Sequence, residues 1–85
     1  MITNYTATTT SGEVVAFNSS RRYLILTNTG AKNVFLNIGD DAEVDKGIFL
    51  AANGGTWLMD RFSFSNEAIH AITAADTTNI SIYEQ

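Results

Sequence analysis

Four acids crowd one short stretch of this chain: Asp40, Asp41, Glu43 and Asp45. Asp41, Glu43 and Asp45 are spaced by two, as the first ligands of a calcium loop are, because alternate residues can aim their oxygens at one cation. Such a loop then turns at a glycine and ends on a bidentate glutamate, and here Lys46 and Ala52 hold those places. The cluster therefore reads as a solvated acidic loop that keeps the molecule soluble. His70 is the one histidine. Nucleophilic catalysis would need it beside a nucleophile and an orienting acid, and serines and acids are too common here to specify either. A zinc site without cysteine would have to draw on carboxylates or on a symmetry axis. The apolar neighbours of His70 suit a packed or half-exposed strand residue. No pair of acids is singled out for glycoside hydrolysis, and a chain of 85 residues leaves little room for a cleft. Neither an enzyme nor a cofactor is expected.

Other residues suit binding. Trp57 follows Gly54-Gly55, a rim position from which an indole could stack on a sugar ring, and Tyr5, Tyr23 and Tyr83 could do the same. Aromatic residues of small β proteins more often fill the core or a subunit interface. Arg21-Arg22 could clamp a partner's carboxylate, although Arg22 reads better as the opening of a strand, paired with a nearby acid. Tyr5, Arg22, Tyr23, Ile25, Phe35 and Trp57 are the candidate interface residues.

The elements that must position these groups are strands. Val34-Phe35-Leu36-Asn37-Ile38, Arg61-Phe62-Ser63-Phe64-Ser65 and Asn79-Ile80-Ser81-Ile82-Tyr83 alternate with period two, which sends successive side chains to opposite faces. Arg22 to Thr29 is apolar on both faces at Tyr23-Leu24-Ile25-Leu26, as in a strand covered on both sides. Asn28-Thr29-Gly30-Ala31-Lys32 predicts a hairpin from it into Asn33–Gly39, with Gly30 at positive φ. Val34, Leu36 and Ile38 are then buried, and Phe35 and Asn37 face the other way. Gly39 to Gly47 is a long polar loop. Ile48–Ala51 and Thr56–Met59 are strands joined by the hairpin signal Asn53-Gly54-Gly55. Ile69–Ala74 and Asn79–Tyr83 form a last pair about Ala75-Asp76-Thr77-Thr78. Glu13–Phe17 is a short strand, and the Thr-rich stretch Ile2–Thr10 is either an edge strand or an extended arm. Ser65 to Ile72 permits one helical turn at most. About eight short strands at this spacing predict a single small all-β domain, an antiparallel β-sandwich or jelly-roll-like barrel over residues 13–85, preceded by the arm or edge strand of residues 1–12.

Composition narrows the function. A domain this small buries only about 60–65% of its unfolded surface. The chain has no cysteine to form a disulfide and no proline to stiffen a turn, so association with other subunits is the accessible route to extra stability. A net charge of −4 with five basic residues disfavours nucleic acid and anionic membrane surfaces. No apolar run is long enough to span a bilayer, and Met1-Ile2-Thr3-Asn4-Tyr5 lacks the basic and apolar regions of a secretory signal.

The run Ser20-Arg21-Arg22-Tyr23-Leu24-Ile25-Leu26-Thr27-Asn28, then Asn33-Val34-Phe35-Leu36-Asn37-Ile38-Gly39, Gly47-Ile48-Phe49-Leu50-Ala51 and Gly55-Thr56-Trp57, resembles a recurrent pattern in small virion proteins of tailed bacteriophages. The closing Ala71-Ile72-Thr73-Ala74-Ala75 and Ile80-Ser81-Ile82-Tyr83-Glu84 extend the likeness across Ser19–Glu84. The resemblance implies head-decoration, head-fibre or tail-associated subunits, often β-sandwich trimers, and transfers no functional residue because the pattern is structural. The expectation is a capsid decoration subunit, made in the host cytoplasm and resident in the virion. Its partners would be copies of itself, a trimer first, and the major capsid protein or another virion protein, with the Ile2–Thr10 arm as attachment element. A glycan-binding module of a head or tail fibre, and a head–tail joining or tail subunit, are the alternatives.

Overall fold

The computed structural model describes residues 2–59 and 65–85, and every regular element among them is a strand. These are β1 (Ile2–Ala7), β2 (Gly12–Val15), β3 (Leu24–Asn28), β4 (Val34–Ile38), β5 (Ile48–Leu50), β6 (Thr56–Met59), β7 (Ile69–Thr73) and β8 (Thr78–Glu84). They form two four-stranded antiparallel sheets, sheet A in the order β1-β8-β3-β6 and sheet B in the order β2-β7-β4-β5. The ladders β1·β8, β2·β7, β3·β6 and β4·β5 are those of one long hairpin folded in half at the β4–β5 loop. Two further ladders, β3·β8 and β4·β7, roll that hairpin into a sandwich. This is the eight-stranded jelly roll, so the small all-β sandwich read from the alternation is the fold. The strand expected over Arg61–Ser65 lies outside the described residues, Ser65 apart, and the helical turn at Ser65–Ile72 is replaced by a loop leading into β7.

Alternation places the core as expected. Leu24, Leu26, Met59 and Ile80 of sheet A face Val34, Leu36, Leu50 and Ile69 of sheet B, all fully or almost fully buried. Each such side chain contributes roughly 1.5–3 kcal/mol on burial.

The pairing of neighbours in sequence is where the structure departs. β3 and β4, expected as a hairpin, lie in different sheets, as do β5 and β6 and also β7 and β8. β4 and β5, across the acidic loop, are the one pair of consecutive described strands that share a sheet. The turn chemistry itself was sound. Asn53 and Gly54 both take positive φ, 60° and 120°, as their hairpin signature requires, but the turn delivers the chain to the opposite sheet. The reason at β3–β4 is Asn28. Its side chain is fully buried and donates from Nδ2 to the carbonyls of Lys32 (2.6 Å) and Leu50 (3.2 Å). Its Oδ1 accepts from the Gly30 amide (3.1 Å) and the Thr78 hydroxyl (2.7 Å). Four bonds to β5, β8 and the connection itself make the segment an arch between sheets. Gly30 is not among the positive-φ residues. It is required because a Cβ there would collide with the Thr78 hydroxyl and the Asn79 amide.

The stretch Ile2–Ala7 takes the edge-strand form. It pairs residue for residue with β8 from Ile2↔Tyr83 to Ala7↔Thr78, and Ala7 is fully buried. It is therefore part of the sandwich and not a separate arm.

Candidate interaction surfaces

Arg21, one of the two adjacent arginines read as a clamp for a partner, is 2% exposed. Its Nε donates to Glu84 Oε2 at 2.8 Å, its Nη1 to the carbonyls of Ser65 and Glu67 at 2.9 Å each, and its Nη2 to the Ala16 carbonyl at 2.8 Å. The planar fork suits this many fixed acceptors. Arg21 thereby ties the entry to β3 to β8, to the chain after β2 and to the chain before β7. The clamp is internal, and among the described residues it is Arg21 that is paired with an acid. Arg22 is exposed, and its backbone amide donates to the Gln85 carbonyl.

The acidic loop matches a solvated reading. Of its two apolar side chains Ala42 is buried at 4% exposure and Val44 is exposed, and the Ala42 amide donates to Ser11 Oγ while Asn37 Nδ2 donates to the Asp41 carbonyl. Asp40, Asp41, Glu43 and Asp45 stay exposed, with Lys46 beside Glu43 at 3.3 Å. Among the described residues, no three His, Cys, Asp or Glu side chains converge to hold a metal ion.

The remaining candidates are placed by register. On β1, Tyr5 alternates with the buried Ala7 and sits opposite the buried Ile80. It packs on the core, and its hydroxyl reaches the place where a side chain at Gly12 of β2 would begin. Tyr5 thus seals the side of the sandwich between β1 and β2. Trp57 faces inward opposite Leu26 and also packs on the core. An indole face turned to the core is not a free platform for a sugar ring, which corrects the rim position expected from Gly54-Gly55.

Ile25 does lie on an outer face. The ladders of sheet A set Ile2, Tyr83, Ile25 and Leu58 in one row across all four strands. Ile2 and Leu58, at its ends, are exposed at 74% and 43%. Tyr23 extends this patch, its ring edge-on to Tyr83 with centroids 6.1 Å apart. The next row is Asn4, Ser81, Thr27 and Thr56, followed by Thr6 and Asn79. None of the residues in these rows is charged.

Phe35 belongs to the other outer face. In sheet B it sits between Ile72 of β7 and Phe49 of β5, its ring 5.5 Å from that of Phe49. The neighbouring row is Glu13, His70 and Asn37. His70 is half-buried, with its Nδ1 out of solvent and unpaired among the described residues. A shallow groove of about 270 Å³ runs past Phe35 between Lys32, Asp45 and Ala75. Sheet B therefore presents an aromatic pair among charges of both signs, and sheet A, among the described residues, an uncharged plane with one apolar edge.

Sequence reasoning selected Tyr23, Ile25 and Phe35 by type but missed Ile2, Leu58 and Phe49, which share their rows. Register alone brings those residues together, so no local signal could have grouped them. The chain matches no protein-family model, no curated protein and no solved structure.

Proposed function

We propose that this chain is a structural subunit of a tailed-phage virion, a decoration protein that lies on the head shell through the outer face of sheet A and acts by bridging neighbouring shell subunits. The likeness of Ser19–Glu84 to small virion proteins motivates the reading. The observation that carries it is the row Ile2, Tyr83, Ile25 and Leu58, a strip of exposed and half-exposed apolar side chains on a face whose outward strand residues carry no charge among the described ones. Apolar surface of this kind on a soluble domain marks a contact site when it is contiguous. The flat neutral plane behind it offers hydroxyls and amides for a rim of hydrogen bonds. The inward turn of Trp57 leaves the glycan-binding alternative without a platform at that residue.

The test is co-sedimentation with phage capsids stripped of their small proteins. The native chain should pellet with shells, Leu58→Lys should lose most of that binding, and Phe49→Lys on the opposite face should keep it. Undiminished binding by Leu58→Lys would move the contact to another surface. A native chain that stays in the supernatant would remove the shell as its partner.

A further inference from the structure

Each sheet has two outer strands whose backbone amides and carbonyls are unpaired on one side, and such edges invite another chain unless they are blunted by shortness, charge or a bulge. Among the described residues two of the four are blunted. β2 carries Glu13 and a register shift between Glu13 and Val15, and β5 is three residues long. β6, Thr56–Met59, borders residues outside the described ones. β1 is different: six residues, no charge, no proline and an unbroken register, paired among the described residues with β8 alone. Ile2, Thr3, Asn4 and Thr6 on it are all exposed.

We infer that β1 is a pairing edge, and that its occupant is β1 of a second copy of this chain, antiparallel across a two-fold axis, joining two sheets A into one of eight strands. Charge selects this partner. Each copy carries a net charge of −4, so two copies approach with least repulsion where neither has charge, and β1 with the outer face beside it is such a place. The strand is its own complement, since an antiparallel contact about a two-fold axis at Asn4 or Tyr5 sets outward residues of β1 against outward residues of the same segment and inward against inward. A threefold ring, the arrangement expected from the resemblance, would instead set β1 against a different strand, a contact that is not self-complementary. Area points the same way. One outer face of four short strands spans roughly 300–400 Å², short of the roughly 800 Å² per partner in a stable interface, and two copies joined at β1 present about twice as much in one plane. Only the area argument rests on the shell reading; the open edge and the charge argument do not, and a dimer that ignores capsids would leave the pairing intact.

The test is absolute mass by light scattering over a dilution series, with amide hydrogen exchange at the two ends of the series. The native chain should approach twice its 9.2 kDa at high concentration. Alternate amides of β1, those turned away from β8, should gain protection as it does so. Asn4→Lys with Thr6→Lys, both on exposed outward positions, should raise the dimer dissociation constant by roughly tenfold or more through like charges brought opposite each other, while Leu58→Lys at the far edge should leave it unchanged. A native chain monomeric at every concentration, a trimer, or a dimer lost in Leu58→Lys and kept in the double-lysine variant would each overturn the proposal.

Discussion

The two ends of β3 are held by different chemistry. At its entry, the Arg21 guanidinium reaches one carboxylate and three carbonyls. At its exit, the neutral carboxamide of Asn28 makes four bonds to Lys32, Leu50, Gly30 and Thr78. Both are buried, and both join sheet A to groups outside it. The difference is in what each leaves behind when lost. Removing Arg21 takes a guanidinium away from the Glu84 carboxylate and from three carbonyls, whereas removing Asn28 takes away only neutral bonds. A small sandwich without disulfides can thus be closed by two polar knots, the charged one being harder to give up because hydrogen bonds from an ionised donor are stronger than those between neutral groups.

That contrast can be broken by urea titration of six variants. Arg21→Ala should show the largest loss, about 3–5 kcal/mol, and Arg21→Lys should recover little of it, since one ammonium cannot serve acceptors spread along a planar fork. Asn28→Ala should cost about 2–3 kcal/mol. Asn28→Asp should cost more than that at neutral pH, because a carboxylate faces the carbonyls of Lys32 and Leu50. Burial would raise the folded-state pKa of the new carboxyl above its unfolded value, so the excess loss should shrink as pH falls. Gly30→Ala should cost about 1–3 kcal/mol by overpacking against Thr78 and Asn79. Thr78→Val should be the mildest, about 0.5–1.5 kcal/mol, since Asn28 Oδ1 keeps the Gly30 amide. A larger loss for Asn28→Ala than for Arg21→Ala would reverse the ranking of the two knots.

The outer faces form a second contrast. Sheet B mixes Phe35 and Phe49 with Glu13, Lys32 and Asp45, and its edges are short or bulged. Among the described residues, sheet A has neither charge on its plane nor a blunted edge at β1. On the proposed pairing, this segregation directs association to one side of the molecule.

Much of the fold was legible locally. Period-two alternation located β4 and β8, and apolar runs bounded by turn residues located β2, β3, β5, β6 and β7, to within a few residues, and alternation assigned Val34, Leu36 and Ile38 to one face and Phe35 and Asn37 to the other. Asn53 and Gly54 turn the chain with the backbone angles their types favour. What was not legible was the destination of the turns. A Gly-containing connection after Asn28 predicts a hairpin by its own chemistry, and only the distant Leu50 and Thr78, reached by the Asn28 side chain, make it an arch. Arg21 was recognised as a carboxylate binder, but its acid lies 63 residues away. Trp57 after two glycines looks like a rim residue until pairing with Leu26 turns it inward.

Composition and alternation by themselves determined an all-β domain of short strands with a definite inner face, because side-chain period and burial are properties of a strand taken alone. Which strands pair, which apolar residues share a row and which edge stays open were decided by tertiary structure. Those depend on contacts between residues far apart in the chain, and the two buried knots at either end of β3 choose among pairings that local signals leave equivalent.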